Sequence, residues 1–309
     1  MQPAIELANV SKYYGNVLAL DSVSLSVAQG EVCGFLGPNG AGKTTAIRLL
    51  FDLIRPSSGT ARVLGLDCQR EGLEARRQMG YLPGELRLYE SYTGKQLISL
   101  FASIKRDPSC QSYAGELCER LQLDADQKVG SYSKGNKQKL GLILSLMHRP
   151  RVMVLDEPTS GLDPLVQEQV EQILAELAAE GHTVFFSSHV LSEVEQMCHS
   201  VAILRKGRLV AVESVANLKG RSLHILEVTF AEPVPAGAFE LPGIDELRRD
   251  GNLVHLQVRS HLDDAIKAVA RYPVVDLRTE QPSLEEVFLA YYQDTAPAVG
   301  ASEGTNAAS

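Results

Sequence analysis

The 309-residue sequence contains only five cysteines, Cys33, Cys68, Cys110, Cys118 and Cys198, an odd number with no C-x-x-C pair. That scatter excludes a disulfide framework or a cysteine-based zinc site and fits a reducing compartment. Positive charge is not in excess: 30 Lys+Arg stand against 38 Asp+Glu, a net charge of -8. Such a balance gives no general attraction to nucleic acid or anionic lipid, so no nucleic-acid partner is expected. Nowhere do uncharged apolar residues run for the ~18 positions that a membrane-spanning helix needs. The start, M-Q-P-A-I-E-L-A-N-V, has no basic segment followed by an apolar one, so no leader is expected. Fixed-period repeats and coiled-coil heptads are absent from the sequence, which argues against a solenoid or a rod.

What is present is enough apolar residue, 44%, to build packed cores, and enough length for about two domains at roughly 150 residues each. Residues 5–27 alternate in short runs broken at Gly15 and read as antiparallel strands. E-V-C-G-F-L reads as a buried strand, followed by a glycine-rich turn and then T-T-A-I-R-L-L-F-D-L-I, with helical apolar spacing. Short strands are predicted at 57–63 and 78–82, and a mostly helical block at 94–147, interrupted near Pro108 and Gly130. Strands at 152–155 and 183–187, joined by a helix at 165–179, make a βαβ unit and hence a parallel sheet. A hairpin at 201–211 turns at Lys206-Gly207.

Beyond Gly220 the pattern becomes a small α+β region. Strands are predicted at 224–230, 253–258 and 274–278 and helices at 262–270 and 283–291, with a loop at 231–238. Residues 295–309 are too poor in apolar side chains to offset chain entropy and read as a disordered tail. The division expected is 1–218, 219–294 and 295–309.

Chemistry concentrates in the first region. G-P-N-G-A-G-K-T-T fills residues 37–45. Gly37, Gly40 and Gly42, with Pro38, Asn39 and Ala41 between them, let successive backbone N–H groups curl around a phosphate, and the following helix adds its dipole. Lys43 suits the β- and γ-phosphates, Thr44 suits Mg²⁺, and Thr45 completes the cradle. The plain alternative is a glycine-rich turn before a helix. V-M-V-L-D-E, residues 152–157, ends an apolar strand in two carboxylates. Asp156 suits Mg²⁺ and Glu157 suits the attacking water, though a solvated strand end has the same composition. Together these two motifs mark a P-loop NTPase, expected to bind a nucleotide with Mg²⁺.

Further motifs follow in an order that resembles the ATP-binding cassette (ABC) family over residues 4–215. Y-S-K-G-N-K-Q-K, residues 132–139, is similar to the signature loop, keeping Ser133 and Gly135 and departing from L-S-G-G-Q at Tyr132, Lys134 and Asn136. The same residues read locally as a serine N-cap on a basic helix. S-G-L-D resembles the D-loop, with Asp163 equally an N-cap before Pro164. His189 resembles the switch histidine, and Tyr14 the aromatic that stacks on adenine, with Tyr13 one position away and strand packing an alternative for both. One departure stands out: where the family carries a metal-sensing Gln after G-Y-L-P, this chain has Gly84 and then Glu85. Glu85 is either a replacement ligand or an ordinary solvated carboxylate. P-S-L-E-E-V-F-L, residues 282–289, is similar to C-terminal extensions of bacterial exporter ATPases.

The resemblance implies an α/β fold with a parallel-sheet core, an antiparallel β subdomain, a helical subdomain and a small C-terminal α+β domain. It also implies an ATPase subunit of a bacterial drug or antibiotic exporter, peripheral to the cytoplasmic face of the membrane. Two copies, or a paired ABC ATPase, close head to tail on two Mg-ATP and drive separate integral membrane permease subunits that dock near residues 84–92. Glu157, His189 and Lys43 are the catalytic residues it implies. The other readings are an importer's ATPase, a soluble non-transport cassette ATPase and a regulatory nucleotide sensor; the intact Lys43, Asp156, Glu157 and His189 argue against the last.

Overall fold

A computed structural model of the chain describes residues 2–220, 224–235, 237–239, 241–258 and 262–280. The helix predicted at 283–291 and the tail at 295–309 lie outside these residues. Two compact units divide the chain, Met1–Asn217 and Leu218–Ser309.

In the first unit, β1 (Ile5–Tyr14) and β2 (Val17–Val27) form the antiparallel pair predicted around Gly15. They are joined by β4 (Ser58–Val63) and the two-residue β5 (Leu66–Asp67) in a sheet of order β2-β1-β4-β5. Alternation drives the pairing: Ile5, Leu7 and Val10 on β1 and Val23, Leu25 and Val27 on β2 are buried, while intervening positions face outward. The central sheet contains β3 (Val32–Leu36), β6 (Met79–Leu82), β7 (Val152–Asp156), β8 (Thr183–Ser188), β9 (Ser200–Arg205) and β10 (Arg208–Ser214). Its order is β10-β9-β3-β8-β7-β6. All neighbours are parallel except the β9–β10 hairpin, whose turn residues Lys206 and Gly207 both have positive φ, 46° and 77°, as a two-residue hairpin turn requires.

Every residue of β3, β7 and β8 is buried, as expected of strands in a parallel sheet. Phe35 and Phe185, both fully buried, pack with ring centroids 5.2 Å apart; burial of each such side chain contributes about 1.5–3 kcal/mol. Helices α1 (Lys43–Leu50), α2 (Gly72–Arg77), α6 (Pro164–Ala179) and α7 (Leu191–Met197) accompany the sheets, and α8 (Val215–Gly220) crosses the boundary between the units. The block at 94–147 resolves into α3 (Gly94–Lys105), α4 (Ser109–Arg120) and α5 (Lys134–Leu146). Its breaks fall where proline and glycine place them, with Pro108 just before α4 and Gly130 in a short 3₁₀ turn.

The second unit is a four-stranded antiparallel sheet of order β12-β13-β11-β14. Strands β11 (His224–Phe230), β13 (Leu253–Val258) and β14 (Val274–Glu280) and helix α9 (Leu262–Val269) fall where predicted. The edge strand β12 (Ile244–Asp250) is not signalled by the sequence pattern, because I-D-E-L-R-R-D buries only Ile244 and shows no apolar alternation. Leu226, Val228, Phe230, Leu256 and Phe239 build the core with Ala265 and Val269 of α9. Among the described residues no helix is long and apolar enough to cross a membrane.

A candidate nucleotide site at the ends of the parallel strands

The site lies at the carboxyl ends of β3, β8 and β7, the place where parallel α/β sheets bind ligands. From β3 the chain passes through the glycine loop into α1. Gly42, which caps that helix, has φ 110°, and a Cβ there would lie 2.7 Å from Ala19 O. Only glycine fits without strain. No side chain caps α1 and no acid lies in its first turn, so its first N–H groups are free for an anion. A cavity of about 340 Å³ opens in front of it, lined by Ala19, Pro38, Asn39, Gly40, Ala41, Gly42, Lys43, Thr44, Thr45, Gly84, Asp156 and Glu157.

Lys43 is buried and its Nζ donates to Gly37 O at 2.5 Å. Burial holds its pKa below the ordinary lysine value, while the carboxylates of Glu157 and Asp156 push it back up. Asp156 ends β7 with both oxygens engaged. Thr44 Oγ1 donates to Oδ2 at 2.9 Å and Ser187 Oγ donates to Oδ1. Ser187 can do so because β8 lies between β3 and β7, in register with Phe35 on one side and Asp156 on the other. A hydroxyl and a carboxylate placed together are the hard oxygen donors that Mg²⁺ takes, so this pair fits the metal that the glycine loop implies.

Glu157 adopts the left-handed backbone, φ 52°, a conformation that costs a non-glycine residue on the order of 1 kcal/mol or more. It is held at both ends. Its N–H donates to Ser187 Oγ at 3.1 Å, and Gln138 Nε2 of α5 donates to its carbonyl at 2.9 Å and to that of Pro158 at 3.1 Å. The resulting turn aims the carboxylate into the cavity. His189 Nδ1 lies 3.0 Å from Glu157 Oε1; a carboxylate only accepts, so Nδ1 bears the proton.

Other expected residues lie elsewhere in the unit. Ser133 Oγ accepts from Asn136 N at 3.1 Å and Asp163 Oδ1 accepts from Val166 N at 3.1 Å, so both local capping roles are present. Neither lines the cavity, and nor does Gly135, whose Cβ position is 3.0 Å from Gly161 O. Residues 134–135 thus pack against Gly161 of the same chain. Tyr14 ends β1 with 44% of its surface exposed, its ring 5.2 Å from Lys12 Nζ and outside the cavity lining. Glu85 also lies outside it: its side chain is 85% exposed and faces Arg87 at 3.8 Å. Gly84, by contrast, sits against Asp156, and a Cβ would lie 3.0 Å from Oδ2. Sequence reasoning missed Ser187, Gln138, Thr159 and Glu193. The visible signal was the pair of hydroxyls closing the apolar strand T-V-F-F-S-S; the other three carry none.

A strand, a glycine loop and an uncapped helix facing a paired carboxylate define a P-loop nucleoside triphosphatase. A family model described as ABC transporter matches residues 20–160. The chain is 32% identical to the bacitracin transport ATP-binding protein BcrA of Bacillus licheniformis, over 94% of this chain and 97% of that one. It is 34% identical to the daunorubicin resistance ATP-binding protein DrrA2 of Streptomyces coeruleorubidus, over 93% and 94%. A solved structure of an ATP-binding subunit of an ABC transporter superposes with TM-score 0.66 at 28% identity, covering 70% of this chain and 92% of that one. An ATP-binding cassette solved as a dimer bound to ADP and Pi shares the fold, with TM-score 0.63 at 23% identity over 68% and 98%. The chain belongs to the ABC transporter ATP-binding family. It is an ATPase of that family, with relatives of the drug-exporter type.

Proposed function

We propose that this chain is the ATP-hydrolysing subunit of a bacterial exporter and acts as a head-to-tail dimer on two Mg-ATP. The observation that carries the hydrolytic reading is Glu157, whose carboxylate lines the phosphate cavity and is met by His189 at 3.0 Å. In this reading Lys43 and the backbone N–H groups of residues 40–45 bind phosphate oxygens, and Thr44 and Asp156 hold Mg²⁺. Held there, Mg²⁺ would supply charge neutralisation at the transferring phosphoryl group. Glu157 orients the attacking water and takes its proton, and His189 fixes the carboxylate.

Support for the dimer comes from Ser133 and Gly135. They expose a helix N-terminus beside Gly161 but stand outside their own chain's cavity, which leaves them to complete a partner's site. In this reading Tyr14 stacks on the adenine and Asp163 belongs to the loop that links the two sites across the dimer. Coupled permease subunits dock near residues 84–92, where Tyr89 and Tyr92 are exposed with ring centroids 5.9 Å apart. That would hold the chain at the cytoplasmic face of the membrane. In this reading 1–218 is the ATPase domain, and 219–294 is an accessory domain that aids dimerisation or regulation. Relatives named for bacitracin transport and daunorubicin resistance support export as the direction.

The decisive test is Glu157→Gln, assayed for phosphate release and for ATP binding. Turnover is expected to fall at least ~100-fold with binding intact; turnover close to wild type refutes the role of Glu157.

A further inference from the structure

Behind the Glu157–His189 pair lies a buried carboxylate that the mechanism above does not use. Glu193 sits in the first turn of α7 and is only 9% exposed. Its two oxygens accept hydrogen bonds from two buried hydroxyls: Oε1 from Thr159 Oγ1 at 2.5 Å and Oε2 from Ser188 Oγ at 2.6 Å. Thr159 follows Glu157 by two residues, and Ser188 immediately precedes His189. Ser188 Oγ also accepts from Val190 N at 2.9 Å, so the chain is pinned on both sides of His189. The three groups line one small cavity together with Glu157 and His189.

We propose that Glu193 is a positioning residue for hydrolysis, holding the Glu157 and His189 segments in mutual register by bridging Thr159 and Ser188. The inference rests on the roles given above to Glu157 and His189. A purely structural need at this depth is better met by an apolar side chain, because removing a carboxylate from water is unfavourable. The surroundings make it more so: the carboxyl of Glu171 is pushed up by burial first and then by the charges of Glu193 and Glu168. What the carboxylate adds is geometry. Its two oxygens take two charge-assisted hydrogen bonds, which are short and directional, and one rigid group thereby sets the spacing between two loops. His189 has 56% of its side chain exposed, so its placement depends on how its backbone is anchored. Misplacing a catalytic group by about 1 Å can cost ~100-fold in rate.

The test uses the full chain, with steady-state ATPase, equilibrium ATP binding and thermal unfolding measured for each variant. Glu193→Gln keeps the shape but replaces one acceptor oxygen with a donor. It should lower kcat about tenfold and leave the KM for ATP and the ATP Kd within about twofold. Thr159→Val combined with Ser188→Ala should cost the same, adding Glu193→Gln to that pair should cost no more, and Thr159→Ser should retain wild-type kcat. Losses that multiply, an unchanged kcat, or a fall in kcat matched by a fall in ATP affinity would overturn the proposal. If Glu193→Gln fails to fold, the hydroxyl variants decide: a kcat loss restored by Thr159→Ser supports it, and normal kcat in the Val/Ala pair overturns it. A Glu157→Gln protein with wild-type turnover would instead remove the reading on which the proposal rests, and the proposal with it.

Discussion

Thr44 Oγ1 and Asp156 Oδ2 are 2.9 Å apart, a hydrogen bond between residues separated by 112 positions in the chain. It ties the first turn of α1 to the end of β7, and Ser187 occupies the other oxygen of the same carboxylate. The two oxygen donors suited to Mg²⁺ are thereby held side by side. Asp156→Asn keeps the shape of this cluster and removes its charge. At fixed ATP it is expected to raise the Mg²⁺ concentration for half-maximal turnover about tenfold and to lower kcat by ~100-fold or more. Phosphate release across a Mg²⁺ titration measures both.

Gly84 lies beside the same carboxylate. A Cβ there would stand 3.0 Å from Asp156 Oδ2 and 3.3 Å from Cγ, and Asp156, held by Thr44 and Ser187, has little freedom to retreat. Gly84→Ala should therefore displace the metal-binding oxygen and lower kcat by ~3- to 10-fold, with a raised Mg²⁺ requirement. Glu85→Ala, which removes an exposed side chain, should leave both parameters within twofold (about 0.4 kcal/mol). Equal losses in the two variants would show that Glu85 reaches the metal after all.

Ser133 separates a local role from a shared one. As the N-cap of α5 it accepts from Asn136 N, and Ser133→Ala should cost about 1 kcal/mol in denaturant unfolding. Since Ser133 does not line the cavity of its own chain, ATP affinity of the monomer should not change, whereas turnover of the dimer should fall about tenfold. A loss of monomer ATP affinity as large as the loss of turnover would place Ser133 in its own chain's site.

His148 makes the fold acid-sensitive. Its Nε2 meets Met79 O at 3.1 Å, and Nδ1 is buried without a hydrogen-bond partner among the described residues. Burial first, and then the charge of Lys105, push its pKa down to about 4; the bond to Met79 and the charge of Asp107 oppose them. The folded pKa lies below the unfolded value of ~6.5, so between these pH values the unfolded chain binds more protons. The neutral ring is tolerated at full stability above pH ~6.5, and stability is lost as pH falls toward 4, by about 2 kcal/mol at pH 5 from this group alone. Urea unfolding at pH 7.5 and pH 5 should show that loss in the wild-type chain and a correspondingly smaller one in His148→Leu. Equal pH dependence in the two proteins would assign the effect to other groups.

Much of the site was legible because its chemistry is local. The nine residues of the glycine loop carry their own backbone requirements, and the caps at Asp163 and Ser133 and the turn at Lys206-Gly207 need only near neighbours. Apolar periodicity located the central strands for the same reason, since β3, β7 and β8 are buried along their whole length. Strand β12 escaped it because an edge strand with one buried residue is held by backbone pairing to β13, not by apolar burial. The short α2 and α7 lack the length over which a helical period becomes visible.

A phosphate cradle, a carboxylate strand end and the order of motifs that mark the family can all be read along the chain. How these meet depends on the folded arrangement of the strands. Sheet order put Ser187 beside Asp156, brought Gly84 against that carboxylate, and left Glu85 and Tyr14 outside the cavity. It also folded Gln138 and Glu193 behind Glu157. The bonds of Gln138 to Glu157, Thr159 to Glu193 and Thr44 to Asp156 join residues 19 to 112 positions apart. Spacing along a chain carries no record of such bonds, because they are fixed by which strands lie side by side.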